Sequence, residues 1–126
     1  MLKISREVDL GLLLMAELHE KKRLSLSEWA SQKKLPYRFL SKIAVKLKKA
    51  KLIESREGRD GGYYLTKKVT VGDIFKAIEG KKGVVACLQG QSCAAAKFCH
   101  QRKVLVKLNQ VVERQLNKMK LEELWR

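Results

Sequence analysis

Apolar residues recur with a helical period in four separate stretches of this chain, and a glycine-rich stretch interrupts them midway. The first stretch holds Leu10, Leu13, Leu14, Ala16 and Leu18, with Leu12 and Met15 between them. It predicts a helix over roughly Glu7 to His19 that is buried on most sides. A basic turn, Glu20 to Leu24, follows. Ser25 and Glu28 then stand in the capping-box relation, in which the hydroxyl accepts the N3 amide and the carboxylate reaches back, so a short second helix runs to about Gln32. Lys33 to Leu35 make a turn. Pro36 suits the first position of a third helix, where its missing N–H has no intrahelical partner, and this helix runs to about Lys51. Phe39, Leu40, Ile43, Ala44 and Leu47 line one side of it, while Arg38, Ser41, Lys42, Val45, Lys46 and Lys49 line the other. A short helix, a tight turn and an amphipathic basic helix make a helix-turn-helix.

Beyond it, Leu52 to Arg56 and Tyr63 to Lys67 read as two strands. Gly58, Gly61 and Gly62 supply the backbone freedom of the hairpin tip, which carries Arg59 and Asp60. This hairpin is the wing of a winged helix. Thr70 caps a fourth helix with Asp73 at N3, running to about Glu79 with Val71, Ile74, Phe75 and Ile78 inward. From about His100 to Met119 a long helix carries Val104, Leu105, Leu108, Val111, Val112, Leu116 and Met119 as a stripe, and its length predicts a partner helix from a second copy of the chain. Leu121 to Trp125 forms a short docking turn. The expected fold is mainly α with a small β-hairpin wing: a winged helix-turn-helix domain over 1–80, a cysteine-bearing loop over 81–100, and a dimerisation helix with its docking segment over 101–126.

Charge turns this architecture into a functional reading. The 126 residues include 28 Lys and Arg against 13 Asp and Glu, a formal net charge of +15. A field of that sign attracts polyanions by releasing their condensed counterions. Between Lys33 and Ile53 stand eight basic residues and no acidic one, so the charge is concentrated on the third helix. Double-stranded DNA is the expected partner. Arg38, Ser41 and Lys42 occupy the turns of a recognition helix that meet base edges, with Tyr37 flanking a phosphate. Lys46 and Lys49, like Lys48, lie further along, where contacts go to phosphates. Arg59 at the wing tip is placed for a minor groove. The apolar stretch Leu10 to Ala16 is far shorter than the ~20 residues of a membrane span, and Glu7 and Asp9 spoil any likeness to a secretory leader, so a cytoplasmic protein without membrane association is expected. Neither a Ser/His/Asp set nor a phosphate loop is present, which argues against an enzyme.

Three cysteines, Cys87, Cys93 and Cys99, are separated by five residues each in a Gly/Gln/Ser/Ala-rich stretch. Steps of six rotate a side chain by about 240° on a helix, so the three cannot share a helical face and must converge through a loop. An odd count leaves one thiol over from any single bridge, and thiolates suit zinc or an iron–sulfur cluster alike. Burial as small apolar side chains is the plainer alternative, opposed by Gln89, Gln91 and Ser92 nearby. Two other functions stay open on these residues: a constitutive DNA-binding protein with a structural zinc site, and a small iron–sulfur redox protein. The concentration of basic residues on the third helix counts against the second.

The order of elements resembles the IscR/NsrR family of bacterial winged-helix iron–sulfur regulators over nearly the whole chain. The matching pieces are Leu2-Lys3-Ile4-Ser5, the helix-turn-helix, the wing Gly61-Gly62-Tyr63-Tyr64-Leu65, Val71-Gly72-Asp73-Ile74, the cysteine triplet and the long helix after it. The resemblance implies a homodimeric regulator, expected to be a repressor. It reads a partly palindromic operator and responds to nitric oxide, redox or cluster status through a 2Fe-2S or 4Fe-4S cluster on Cys87, Cys93 and Cys99. The IscR branch adds a histidine three residues past the last cysteine, where this chain has Arg102. The NsrR branch instead uses a first-helix aspartate of the other subunit, in a pattern similar to Val8-Asp9-Leu10-Gly11-Leu12, so Asp9 is the implied fourth ligand. His100, adjacent to Cys99, is set aside as a ligand. In the wing, the family often has Arg just before the first glycine; here that position is Glu57, and Arg59 is the implied substitute.

Overall fold

A computed structural model of the chain describes residues 3–59, 61–80 and 100–125, with side chains through 123. Five helices and a three-stranded antiparallel sheet appear among these residues: α1 (Arg6–Lys21), β1 (Arg23–Leu24), α2 (Leu26–Lys33), α3 (Tyr37–Lys49), β2 (Ile53–Arg56), β3 (Gly62–Leu65), α4 (Val71–Glu79), α5 (Arg102–Lys118) and a terminal 3-10 turn, Leu121–Trp125. This is the expected mainly helical fold with a small wing.

Helix boundaries follow from their caps. The Ser5 hydroxyl accepts from the Val8 amide at 3.2 Å, so α1 begins before the sequence estimate. At α4 the capping box is complete: the Asp73 amide donates to Thr70 Oγ1 at 3.1 Å, and the Thr70 amide donates to Asp73 Oδ2 at 3.0 Å. The box expected at α2 does not form. Ser25 is the N-cap but makes no side-chain cap bond, and its hydroxyl lies 3.5 Å from that of Ser27 instead. Pro36 is likewise the N-cap of α3 rather than its first helical residue, with α3 ending at Lys49.

Exits from α2 and α3 share one device. The Leu35 amide donates to the Ala30 carbonyl and the Lys34 amide to Ser31; in parallel, the Leu52 amide donates to Leu47 and the Lys51 amide to Lys48. These are Schellman turns, with Lys34 (φ 55°) and Lys51 (φ 63°) in the left-handed position that glycine more often fills. The first is the turn of the helix-turn-helix, and it drops Leu35 against the core.

The core gathers Val8, Leu14, Met15 and Leu18 of α1, Leu40, Ile43 and Leu47 of α3, Ile53 of β2 and Ile74 of α4. Trp29 is buried, whereas Phe39 and Phe75 are only partly buried at its margin, a correction to their expected core placement. Residues 20–24 are not simply a basic turn: β1 pairs antiparallel with β3, Arg23 opposite Tyr64 and Leu24 opposite Tyr63, in the sheet order β1-β3-β2. Gly62, at φ 134°, sits so close to the Leu24 carbonyl that a Cβ there would press into backbone. Leu121 is buried as the docking turn requires. Its amide donates to the Val69 carbonyl at 2.9 Å, and the Val71 amide donates to Met119 at 2.7 Å, stitching the end of α5 to the entry of α4. No helix among the described residues is long and apolar enough to cross a membrane.

Candidate nucleic-acid interface

α3 presents two opposite faces. Its apolar side is buried under α1, α2 and α4; its other side is open. Arg38, Lys42, Val45 and Lys49 follow one another at steps of four, three and four residues, so they form a single exposed stripe along the helix. Tyr37 is half exposed at the first turn, and Ser41 is half-buried beside it.

Two lysines of α3 are engaged within the protein. Lys46 Nζ lies 2.7 Å from Glu7 Oε2, joining α3 to α1, although both side chains keep more than two-fifths of their surface in water. Lys48 Nζ donates to Ser55 Oγ at 2.7 Å, joining α3 to the wing strand β2. An exposed pair of this kind yields readily to a phosphate, since it contributes little to stability.

The wing stands beside the N-terminal ends of α2 and α3 and encloses an open groove of about 460 Å³ with them, lined by Arg23, Ser27, Glu28, Tyr37, Arg56, Glu57, Arg59 and Tyr63. Arg59 is exposed at the wing tip. Arg56 lies with its guanidinium 4.4 Å from the centroid of the Tyr64 ring and donates to Glu54 Oε1 at 2.8 Å, so its charge is aligned along the strand. Tyr63 turns toward the core while Tyr64 lies under that guanidinium, the alternation expected of adjacent strand residues. Burial raises the Tyr63 phenol above its ordinary value, and the nearby Tyr37 phenol adds to the effect, so the Tyr63 hydroxyl stays protonated.

Arg23 and Arg56 are groove residues that sequence reasoning passed over. In the sequence Arg56 reads only as a strand residue and Arg23 only as part of a basic turn. The missed signal for Arg23 is a pairing across about forty residues of sequence, which periodicity does not report.

Asp9 is exposed on the first turn of α1, its amide donating to the Ser5 carbonyl. Cys87, Cys93 and Cys99 lie outside the described residues, and no group of three or more His, Cys, Asp or Glu side chains among the described residues could hold a metal ion. His100 is exposed just before α5, and Arg102 is its first residue.

Residues 4–126 match the family model described as Rrf2, iron-dependent transcriptional regulator. The chain belongs to the Rrf2 family. It is 30% identical to the HTH-type transcriptional regulator CymR of Bacillus subtilis over 98% of this chain and 89% of that protein. It is 32% identical to the HTH-type transcriptional repressor NsrR of Streptomyces coelicolor over 65% of this chain and 57% of that protein. The solved structure of CymR, titled the global cysteine regulator of B. subtilis, superposes with a TM-score of 0.76 at 30% identity, covering 99% of this chain and 97% of that one. IscR of T. potens, at 24% identity and a TM-score of 0.69 over 98% of this chain and 85% of that one, shares the fold. As an Rrf2 protein with winged-helix neighbours, the chain is a DNA-binding transcriptional regulator, and the relatives it matches are regulators rather than enzymes.

Proposed function

We propose that this Rrf2 protein is a homodimeric repressor whose operator affinity is set by an iron–sulfur cluster on Cys87, Cys93 and Cys99, with Asp9 of the other copy as fourth ligand. The observation that carries the reading is where the cysteine triplet falls in the chain: after α4, which packs in the DNA-binding core, and before α5, none of whose 17 residues is buried. A group held there joins the core to the helix that brings two cores together. Two half-sites about one turn of DNA apart tolerate little change in the spacing of their readers, so an altered link changes affinity.

Thiolates are the donors that iron–sulfur clusters take, and the family description names iron dependence. The exposure of Asp9 leaves its carboxylate accessible to a second copy, and α5 begins with Arg102, which offers no donor pair. When bound, the cluster supplies a centre that exchanges electrons and reacts with nitric oxide. The protein's own part is to gather the thiolates, set the spacing of the two α3 helices and read DNA with Arg38, Ser41 and Lys42 on base edges, Tyr37, Lys46 and Lys49 on phosphates and Arg59 in the minor groove.

Anaerobic purification with iron, sulfide and zinc counts and a visible spectrum tests the cofactor. Iron and sulfide in equal amounts with visible absorption are expected, lost when all three cysteines become alanine, with operator binding altered in the same variant. A colourless protein holding zinc, or a triple variant with unchanged binding and response, overturns the reading. Asp9→Ala is expected to keep DNA binding by freshly loaded protein while shortening the lifetime of the absorption.

A further inference from the structure

We infer that Arg23 is a positioning residue for DNA recognition: its guanidinium clamps the wing tip and thereby aims Arg59. Pairing of β2 with β3 ends at Arg56 opposite Gly62, so residues 57–59 and Gly61 lie outside the paired strands. Within that tip the Gly61 amide donates to the Gly58 carbonyl at 3.0 Å. From β1, Arg23 Nε donates to the Gly61 carbonyl at 2.7 Å, and Arg23 Nη2 donates to the Arg59 carbonyl at 3.4 Å. One planar group thus holds two carbonyls of the tip, one of them belonging to the residue that faces the minor groove. Two donors in a fixed fork define a direction, which a lysine ammonium cannot do.

The anchor of this clamp is the helix-turn-helix itself. Arg23 precedes Leu24, which is buried, and Ser25, the N-cap of α2. The clamp therefore refers the wing tip to the element that carries α3, keeping the two DNA-contacting parts in register. Both bonds are solvent-exposed, so their loss costs little folding stability, and a defect in recognition without a defect in folding is the signature of the role.

The proposal rests on the wing reading of Arg59 above, and the test separates the two. The full chain, purified anaerobically, selects its preferred duplex from a library with a randomised core. Affinities are then measured for that duplex and for a version whose flanking A·T steps are replaced by G·C. Arg23→Gln and Arg59→Ala are each expected to lose about tenfold on the selected duplex, the scale of one mismatched base pair, and to bind the two duplexes nearly equally. The double variant is expected to bind no more weakly than Arg59→Ala, and Arg23→Lys to fall between wild type and Arg23→Gln. Thermal midpoints are expected within about 2 °C of wild type, as for an exposed pair. If Arg23→Gln keeps the flank preference while Arg59→Ala loses it, the clamp is wrong and the wing reading stands. Additive losses in the double variant also overturn it, by showing that Arg23 contacts DNA on its own account. A silent Arg59→Ala beside a damaging Arg38→Ala removes wing reading and clamp together.

Discussion

α3 and α5 are two amphipathic helices of the same chain, and they end in opposite circumstances. On α3, Leu40, Ile43, Ala44 and Leu47 are each at most 1% exposed, because α1, α2 and α4 close over that side. On α5, Val104 is 68% exposed, Val111 48% and Leu108 37%. Its C-terminal end is fastened: Gly72 lets α4 approach Asn117 so closely that a Cβ would collide with the Asn117 side chain. On the rest of the stripe Val104, Leu108 and Val111 stay exposed and Leu105 and Val112 are only half-buried among the described residues. The same periodicity therefore marks a covered surface in one place and an exposed one in the other, the face that the proposed dimer buries, and the difference lies in what else the chain can bring to that face.

The sharpest way to break this contrast is to damage the covered face. Leu40→Ala leaves a cavity in the core beneath α3 and is expected to cost about 2–5 kcal/mol of stability, read from urea unfolding with an unchanged slope. A loss under 1 kcal/mol would mean that the α3 face is not the core it resembles. Next in size comes the bare face: Leu108→Glu with Val111→Glu is expected to convert a dimer to a monomer in sedimentation. It should also weaken operator binding by about a hundredfold or more through loss of the second half-site, while far-UV circular dichroism is retained. A variant that stays dimeric places the interface elsewhere. The smallest effect compares the two polar faces. Lys49→Gln is expected to reduce the salt dependence of DNA binding by about one unit of slope, uniformly across sequences, whereas Lys107→Gln on α5 leaves it unchanged.

Helices and their faces were legible because burial and period are local properties: α1, α3, α4 and α5 lie where the apolar spacing puts them, within a few residues. The misses share a cause. β1 is two residues long, too short to carry a pattern, and exists because β3 lies beside it. The Schellman exits at Lys34 and Lys51 were hidden because lysine stands where glycine would have advertised the turn. The α2 capping box failed although its residues fit, since a motif states what a side chain is able to bond and the folded surroundings decide what it does.

The interface divides in the same way. Arg38, Lys42 and Lys49 were readable as a charged stripe from their spacing, and they occupy one exposed face of α3. That Lys46 meets Glu7, that Lys48 meets Ser55 and that Arg23 holds the wing tip were not readable, because each pairing joins separate elements of the fold.

By itself, the order of residues determined which segments become helices, which faces are apolar, where positive charge collects and that three thiols recur at equal intervals, all set by neighbours within a turn or two. Tertiary structure alone decided which of two similar apolar faces is covered, which lysines are already engaged and how the wing is braced against the helix-turn-helix. Those outcomes depend on approaches between segments distant in sequence, where a single hydrogen bond or an absent Cβ selects the geometry and no local pattern records it.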